Sequence, residues 1–144
     1  MSVTSHLYPK VQEALAKKQL NLSSDSLKVM LLSAYTYSNT HATMSDVKGA
    51  GTEAEGTAYT AGGQALTSVT VATSGSTTTI DCADPSWASS TITAAYAVFY
   101  DASGGTDSTN IPICYWDLGG SQSSSSGAFL LTINGSGLVT FTAS

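Results

Sequence analysis

Apolar and polar residues change rhythm three times along this chain. Leu7, Val11 and Leu15 recur every four residues with Ala14 and Ala16 either side of Leu15, which predicts one short amphipathic helix over residues 5–19, with Pro9 in its first turn. After a polar turn, "LKVMLLSA" from Leu27 reads as a strand with Val29 and Leu31 on one face and Met30 and Leu32 on the other, so both faces are covered. Beyond Gly63 the rhythm becomes strand and turn, strand and turn.

Ala65 to Thr73 and Thr77 to Asp81 flank Ser74-Gly75-Ser76 as a hairpin. Thr91 to Tyr100 alternates Ile92, Ala94, Tyr96, Val98 and Tyr100 against Thr91, Thr93, Ala95, Ala97 and Phe99, which predicts a central strand. Ile111 to Trp116 is a further strand, "LGGSQSSSSG" a loop, and "AFLLTI-NGSG-LVTFTA" a hairpin closing on Asn134 to Gly137. One helix followed by a run of strands predicts a mainly β protein: a single domain over residues 1–144, an antiparallel β-sandwich with one N-terminal α-helix and a long polar loop. Val11, Leu15, Val29, Leu31, Val98, Phe99, Ile113, Leu131 and Ile133 are its expected core.

The polar loop is "YTYSNTHATMSDVKGAGTEAEGTAYTAGG", from Tyr35 to Gly63, in which Ser45-Asp46-Val47 has the chemistry to start a helical turn. An excursion of this length is an expected contact surface. Tyr35, Tyr37 and Tyr59, with His41 among them, are its candidate anchors for a protein interface or a sugar. The closing Gly62-Gly63 pair lacks the lysine and following helix of a phosphate loop, and reads as a bend into the sheet.

Charge narrows the partners. Only 10% of the 144 residues are charged, so serine, threonine and glycine cover the surface instead. All five cations are lysines, and all lie in the first 48 residues; Glu53, Glu55, Asp81, Asp84, Asp101, Asp107 and Asp117 follow without a cation. Such a chain is a poor match for nucleic acid or an anionic membrane surface. Lys10, Lys17 and Lys18 are interface candidates at a mildly basic end, facing an acidic end made of the later loops. No apolar run is long enough to cross a membrane, and no signal peptide is visible at the N-terminus.

Catalytic and metal chemistry has little to work with. The histidines, His6 and His41, have no serine elbow to serve, and Cys82 and Cys114 lack C-x-x-C spacing and read as reduced, partly buried thiols. Asp81 and Asp84 read as turn residues before Pro85. Asp101, Ser103, Asp107 and Asn110 put oxygens in one loop where calcium could sit, but with no EF-hand spacing.

The stretches "YPKVQEALAKKQLNLSSDSLKVMLLSAYTYSNTHATMSDV", "GTAYTAGGQALTSVTV", "DPSWASSTITAAYAVFYD" and "ICYWDLGGSQSSSSGAFLLTINGSGLVTFT", taken in this order, resemble a family of small virion structural proteins of tailed bacteriophages, of the minor capsid or head-decoration type. The resemblance implies a cement protein on the capsid surface. Its partners would be the major capsid protein and its own copies, a trimer being favoured, with no enzyme activity, cofactor or metal. A tail or fibre component, and a carbohydrate-binding module on the particle surface, are the alternatives.

Overall fold

The computed structural model describes residues 3–143. In chain order the elements are β1 (Thr4–Leu7), α1 (Lys10–Ala16), β2 (Leu27–Tyr35), α2 (Met44–Gly49), β3 (Gly51–Glu53), β4 (Gly56–Thr57), β5 (Gln64–Ala65), β6 (Thr70–Ser74), β7 (Thr77–Asp81), β8 (Ser86–Asp101), β9 (Ile111–Ser123), β10 (Gly127–Leu130) and β11 (Val139–Thr142). The main sheet runs β1-β9-β8-β2-β3, with β4 and β10 added to β8 and β5 to β2; a second sheet runs β11-β7-β6. All pairings are antiparallel, and the sheets curl into a sandwich-like, mainly β arrangement.

The alternation of apolar residues in β8 is the axis of the fold. Val98 lies opposite Met30 of β2 on one side and Tyr115 of β9 on the other, and Phe99 lies opposite Val29 and Cys114. Val29, Leu31, Val98 and Phe99 have no exposed surface, while Ile113, Leu131 and Ile133 are also buried, as expected for the core. Leu15 is only half-buried and packs at its margin.

Three local expectations change. The helix predicted over residues 5–19 is shorter, because Thr4 to Leu7 instead pair with Asp117 to Cys114 as an edge strand. Pro9 then opens α1, whose end is marked by Lys18 in the left-handed region at φ 60°. An edge of β9 was available to satisfy the N-terminal backbone, and that outweighed helix periodicity.

The first six residues of the expected loop "LGGSQSSSSG", Leu118 to Ser123, are the far half of β9. Ala94 pairs with Gln122 but Tyr96 with Asp117, so β9 bulges between these pairs, and Gly119 and Gly120, at φ 76° and 125°, take up the extra length. The strand therefore survives the glycines. Finally, the turn at Asn134 to Gly137 forms, with the Gly137 amide bonded to the Asn134 carbonyl at 2.8 Å, but it does not close a hairpin. β10 pairs with β8 in the main sheet and β11 with β7 in the other, so this segment ties the two layers together.

The polar excursion after β2 carries α2, β3 and β4. Thr43 and Asp46 form a capping box for α2, each side chain meeting the other's backbone amide. Met44 and Val47 are fully buried beneath it.

Candidate interaction surface

The register of the main sheet gathers aromatic rings from distant parts of the chain. His6 of β1 lies opposite Tyr115 of β9, which lies opposite Val98, and Tyr96 stands two residues away on β8. A bulge near Ser33, where β3 pairs with Leu32 and then Ala34, turns Tyr35 onto this same face. Tyr8, Tyr37 and His41 complete the group. Tyr115 is its hub: it stacks with His6 at 4.9 Å between ring centres and with Tyr37 at 4.9 Å, and meets Tyr8 at 5.8 Å and Tyr35 edge-on at 5.4 Å.

Within this cluster depth divides the rings. Tyr8, Tyr35 and His41 are buried and joined by a hydrogen-bond chain, Tyr8 Oη to Tyr35 Oη at 2.7 Å and Tyr35 Oη to His41 Nδ1 at 2.7 Å. Burial pushes the Tyr35 phenol up to about 12 and raises Tyr8 further, so both stay neutral. His6 is exposed, and Tyr37 and Tyr96 are half-buried. Of the anchors expected from sequence, Tyr37 therefore reaches the surface, whereas Tyr35 and His41 are enclosed in the chain's own interior.

Tyr59 is not part of this group. Its hydroxyl accepts from the Leu31 amide at 3.0 Å and donates to Glu53 Oε1 at 2.9 Å, filling a gap in the outer edge of β2, and its ring lies 6.0 Å from Trp87. Gly62 and Gly63 follow, at φ 91° and 81°. A side chain on Gly63 would run into the Val29 carbonyl, so the pair is a bend pressed onto β2, and the Tyr100 hydroxyl donates to the Gly62 carbonyl at 2.6 Å.

The lysines are less free than their segregation suggests. Lys10 and Lys17 both pair with Glu13 along α1, and Lys48 bridges Glu53 at 3.7 Å and Asp107 at 2.9 Å. Lys18 is exposed and makes no ion pair among the described residues. Through the Lys48–Asp107 pair a lysine of the first 48 residues reaches the loop after β8: the fold brings α2 to it, with the Ser45 amide bonded to the Asp107 carbonyl.

In that loop the oxygens are turned to the protein itself. Asp101 Oδ1 accepts from the Ser103 amide at 2.8 Å and Asn110 Oδ1 from the Gly105 amide at 3.0 Å. Burial, with Asp25 nearby, holds the Asp101 carboxyl above its usual range despite the Ser103 bond. Among the described residues no group of three or more His, Cys, Asp or Glu is placed to hold a metal ion. Neither acid makes the expected turn: Asp81 ends β7 opposite Thr70 and accepts from the next amide, that of Cys82, and Asp84 accepts from the Ile133 amide at 2.8 Å and so pins the segment between β10 and β11. Cys82 and Cys114 are free and buried, and burial pushes the Cys82 thiol up to about 11 and raises Cys114 more.

Two open cavities border strand edges. One of about 410 Å³ lies beside β1, lined by Val3, Trp116, Leu118, Leu131 and Leu138 among others. Another of about 390 Å³ lies beside β6, lined by Leu20, Leu22, Val71, Ile80 and Phe141. β6 is exposed at every residue, and Val71 is 41% exposed.

The sequence pattern does not mark His6, Tyr8, Tyr96 and Tyr115 as one aromatic cluster. His6 and Tyr8 stand two apart, the spacing of one strand face, but the helical rhythm of Leu7, Val11 and Leu15 obscured it. No family model, curated protein or solved structure matches the chain.

Proposed function

We propose that the protein is a virion structural component, a decoration protein that docks on assembled major capsid protein and stabilises the shell. One observation supports this reading above the rest: the open edge of β6. An edge strand presents unpaired amides and carbonyls, and proteins that must not associate guard such edges with charge, proline or a covering loop. The β6 sequence "TVATS" carries none of these, and it borders the apolar groove at Leu20, Leu22, Ile80 and Phe141.

A strand or loop of a capsid protein laid along β6 would complete its hydrogen bonds and cover Val71 and the groove. Each such contact removes apolar surface from water at about 25 cal/mol per Å². Repetition over a lattice turns a modest contact into a strong cement. One edge pairs with one strand at a time, so a symmetric oligomer such as a trimer on the shell would form through another face.

The test is sedimentation of the purified protein with emptied capsid shells, alongside imaging of the particle. Wild-type protein should co-sediment with the shells, and Val71→Lys should weaken this at least about tenfold while leaving the fold intact. Absence of co-sedimentation defeats the reading, and density on the tail assigns the protein to the tail or fibre instead.

A further inference from the structure

His6, Tyr37 and Tyr115 have a geometry that the docking edge does not use. His6 and Tyr37 both lie 4.9 Å from Tyr115, with interplanar angles of 16° and 27°, and they lie 6.3 Å from each other at 25°. Stacked rings are held about 3.5 Å apart by carbon–carbon contact. If His6 and Tyr37 covered opposite faces of Tyr115, their centres would be about 7 Å apart or more. The 6.3 Å separation places them on the same face, side by side, each offset over Tyr115.

The result is a pavement of two nearly parallel rings above a buried third. Its foundation is rigid, because Tyr115 is wedged against Tyr8 and Tyr35, which are locked by their hydrogen-bond chain to His41. His6 lies on exposed β1 and Tyr37 is half-buried, so the pavement is at the surface.

We infer that the His6–Tyr37 pavement is a binding site for a neutral sugar ring of an oligosaccharide. A pyranose presents one face of C–H groups that packs on aromatic rings and a perimeter of hydroxyls that needs hydrogen-bonding neighbours. The perimeter is supplied here: Ser38, Asn39 and Thr40 follow Tyr37 directly, the last two exposed, and Asp117 stands opposite Thr4 and Tyr96 in the sheet. Neither β1, nor β9, nor residues 36–40 contain a lysine or arginine. A phosphate-bearing ligand would find no cation on these segments, while an uncharged polyol needs none. This differs from the tyrosine set expected from sequence: Tyr35 is foundation rather than floor, and Tyr59 is elsewhere.

The test is an NMR titration of the full-length protein with chitohexaose, maltoheptaose and cellohexaose, each to about 10 mM, the range in which a single stacking site binds. At least one should give saturable shifts centred on His6, Tyr37 and Tyr115. Tyr37→Ala should weaken binding at least tenfold, His6→Ala several-fold, and Tyr37→Phe should retain it, since the ring and not the hydroxyl forms the floor. Should Tyr37→Ala disturb the fold, His6→Ala and Tyr37→Phe still decide the matter. No saturable shift with any of the three sugars overturns the inference, as does full binding by His6→Ala together with Tyr37→Ala. Tighter binding of a ten-residue oligothymidylate than of every sugar would overturn the ligand class. None of these outcomes bears on capsid docking through β6.

Discussion

Residues Ala97 to Asp101 of β8 are buried without exception, hemmed by β2 and β9 at the edges and covered on both faces, whereas no residue of β6 in the second sheet is buried. Both strands contain a valine next to an alanine, and both are antiparallel. The difference lies in neighbours: β8 has a strand on each side, and β6 has β7 on one side and, among the described residues, no strand on the other. One sheet is therefore the scaffold that holds the chain together, and the other is a projecting edge whose composition is free to serve contact. A β-strand's contribution to stability is set by what it packs against more than by its own propensity.

Matched valines offer the strongest way to break this comparison. Val98→Asp places a charge at a site with no exposed surface between Met30 and Tyr115, and should abolish cooperative folding by circular dichroism and urea denaturation at neutral pH. Val71→Asp should shift stability by less than about 0.5 kcal/mol. Equal losses would show that β6 is part of the core. Next in size, Phe99→Ala removes a fully buried ring packed 5.0 Å from Trp116 and should cost about 3–5 kcal/mol by urea titration.

Glycines sharpen the same contrast. Gly63→Ala forces a side chain into the Val29 carbonyl at positive φ and should cost about 2 kcal/mol or more. Gly75, in the β6–β7 turn at φ 62°, faces open space, so Gly75→Ala should cost only the local strain of about 1 kcal/mol. Thermal denaturation of the pair reads the difference directly.

A smaller effect concerns α2. Thr43→Ala should cost about 1 kcal/mol through the lost cap. The amides of Ala42 and Thr43 hold the Asp46 carboxyl below its usual value, so its contribution is present above the unfolded-state pKa and lost as pH falls through the lower folded value. Stability measured from pH 5 downward should fall less steeply in Asp46→Asn than in the parent. The smallest effect is expected from Lys10, Lys17 and Lys18 changed together to Gln: with Lys10 and Lys17 already paired to Glu13, capsid binding at low salt should slow by no more than a few-fold. A much larger loss would restore the basic end as the docking face.

Features whose causes lie within a few residues were legible in the sequence. The alternation of β2 and β8, the Gly75 turn between β6 and β7, and a helical turn at Ser45 to Val47 all follow from local spacing, because backbone period and capping act over one or two turns, although the cap itself is Thr43, two residues before Ser45. Features that need a distant partner were not. Whether Thr4 to Leu7 became strand or helix depended on the free edge of β9, and whether β9 continued through Gly119 and Gly120 depended on β8 still being beside it. The segments either side of Asn134 had two sheets to choose from, and no local pattern distinguishes them. Tyr35 and His41 look like surface residues in a polar stretch, yet a bulge in β2 and the burial of Tyr8 drew them inward, leaving Tyr37 to share the surface with His6. Residue chemistry set which groups were present; their depth and company were set by strand pairing across long stretches of chain, where the free energy belongs to the pair and to neither segment alone.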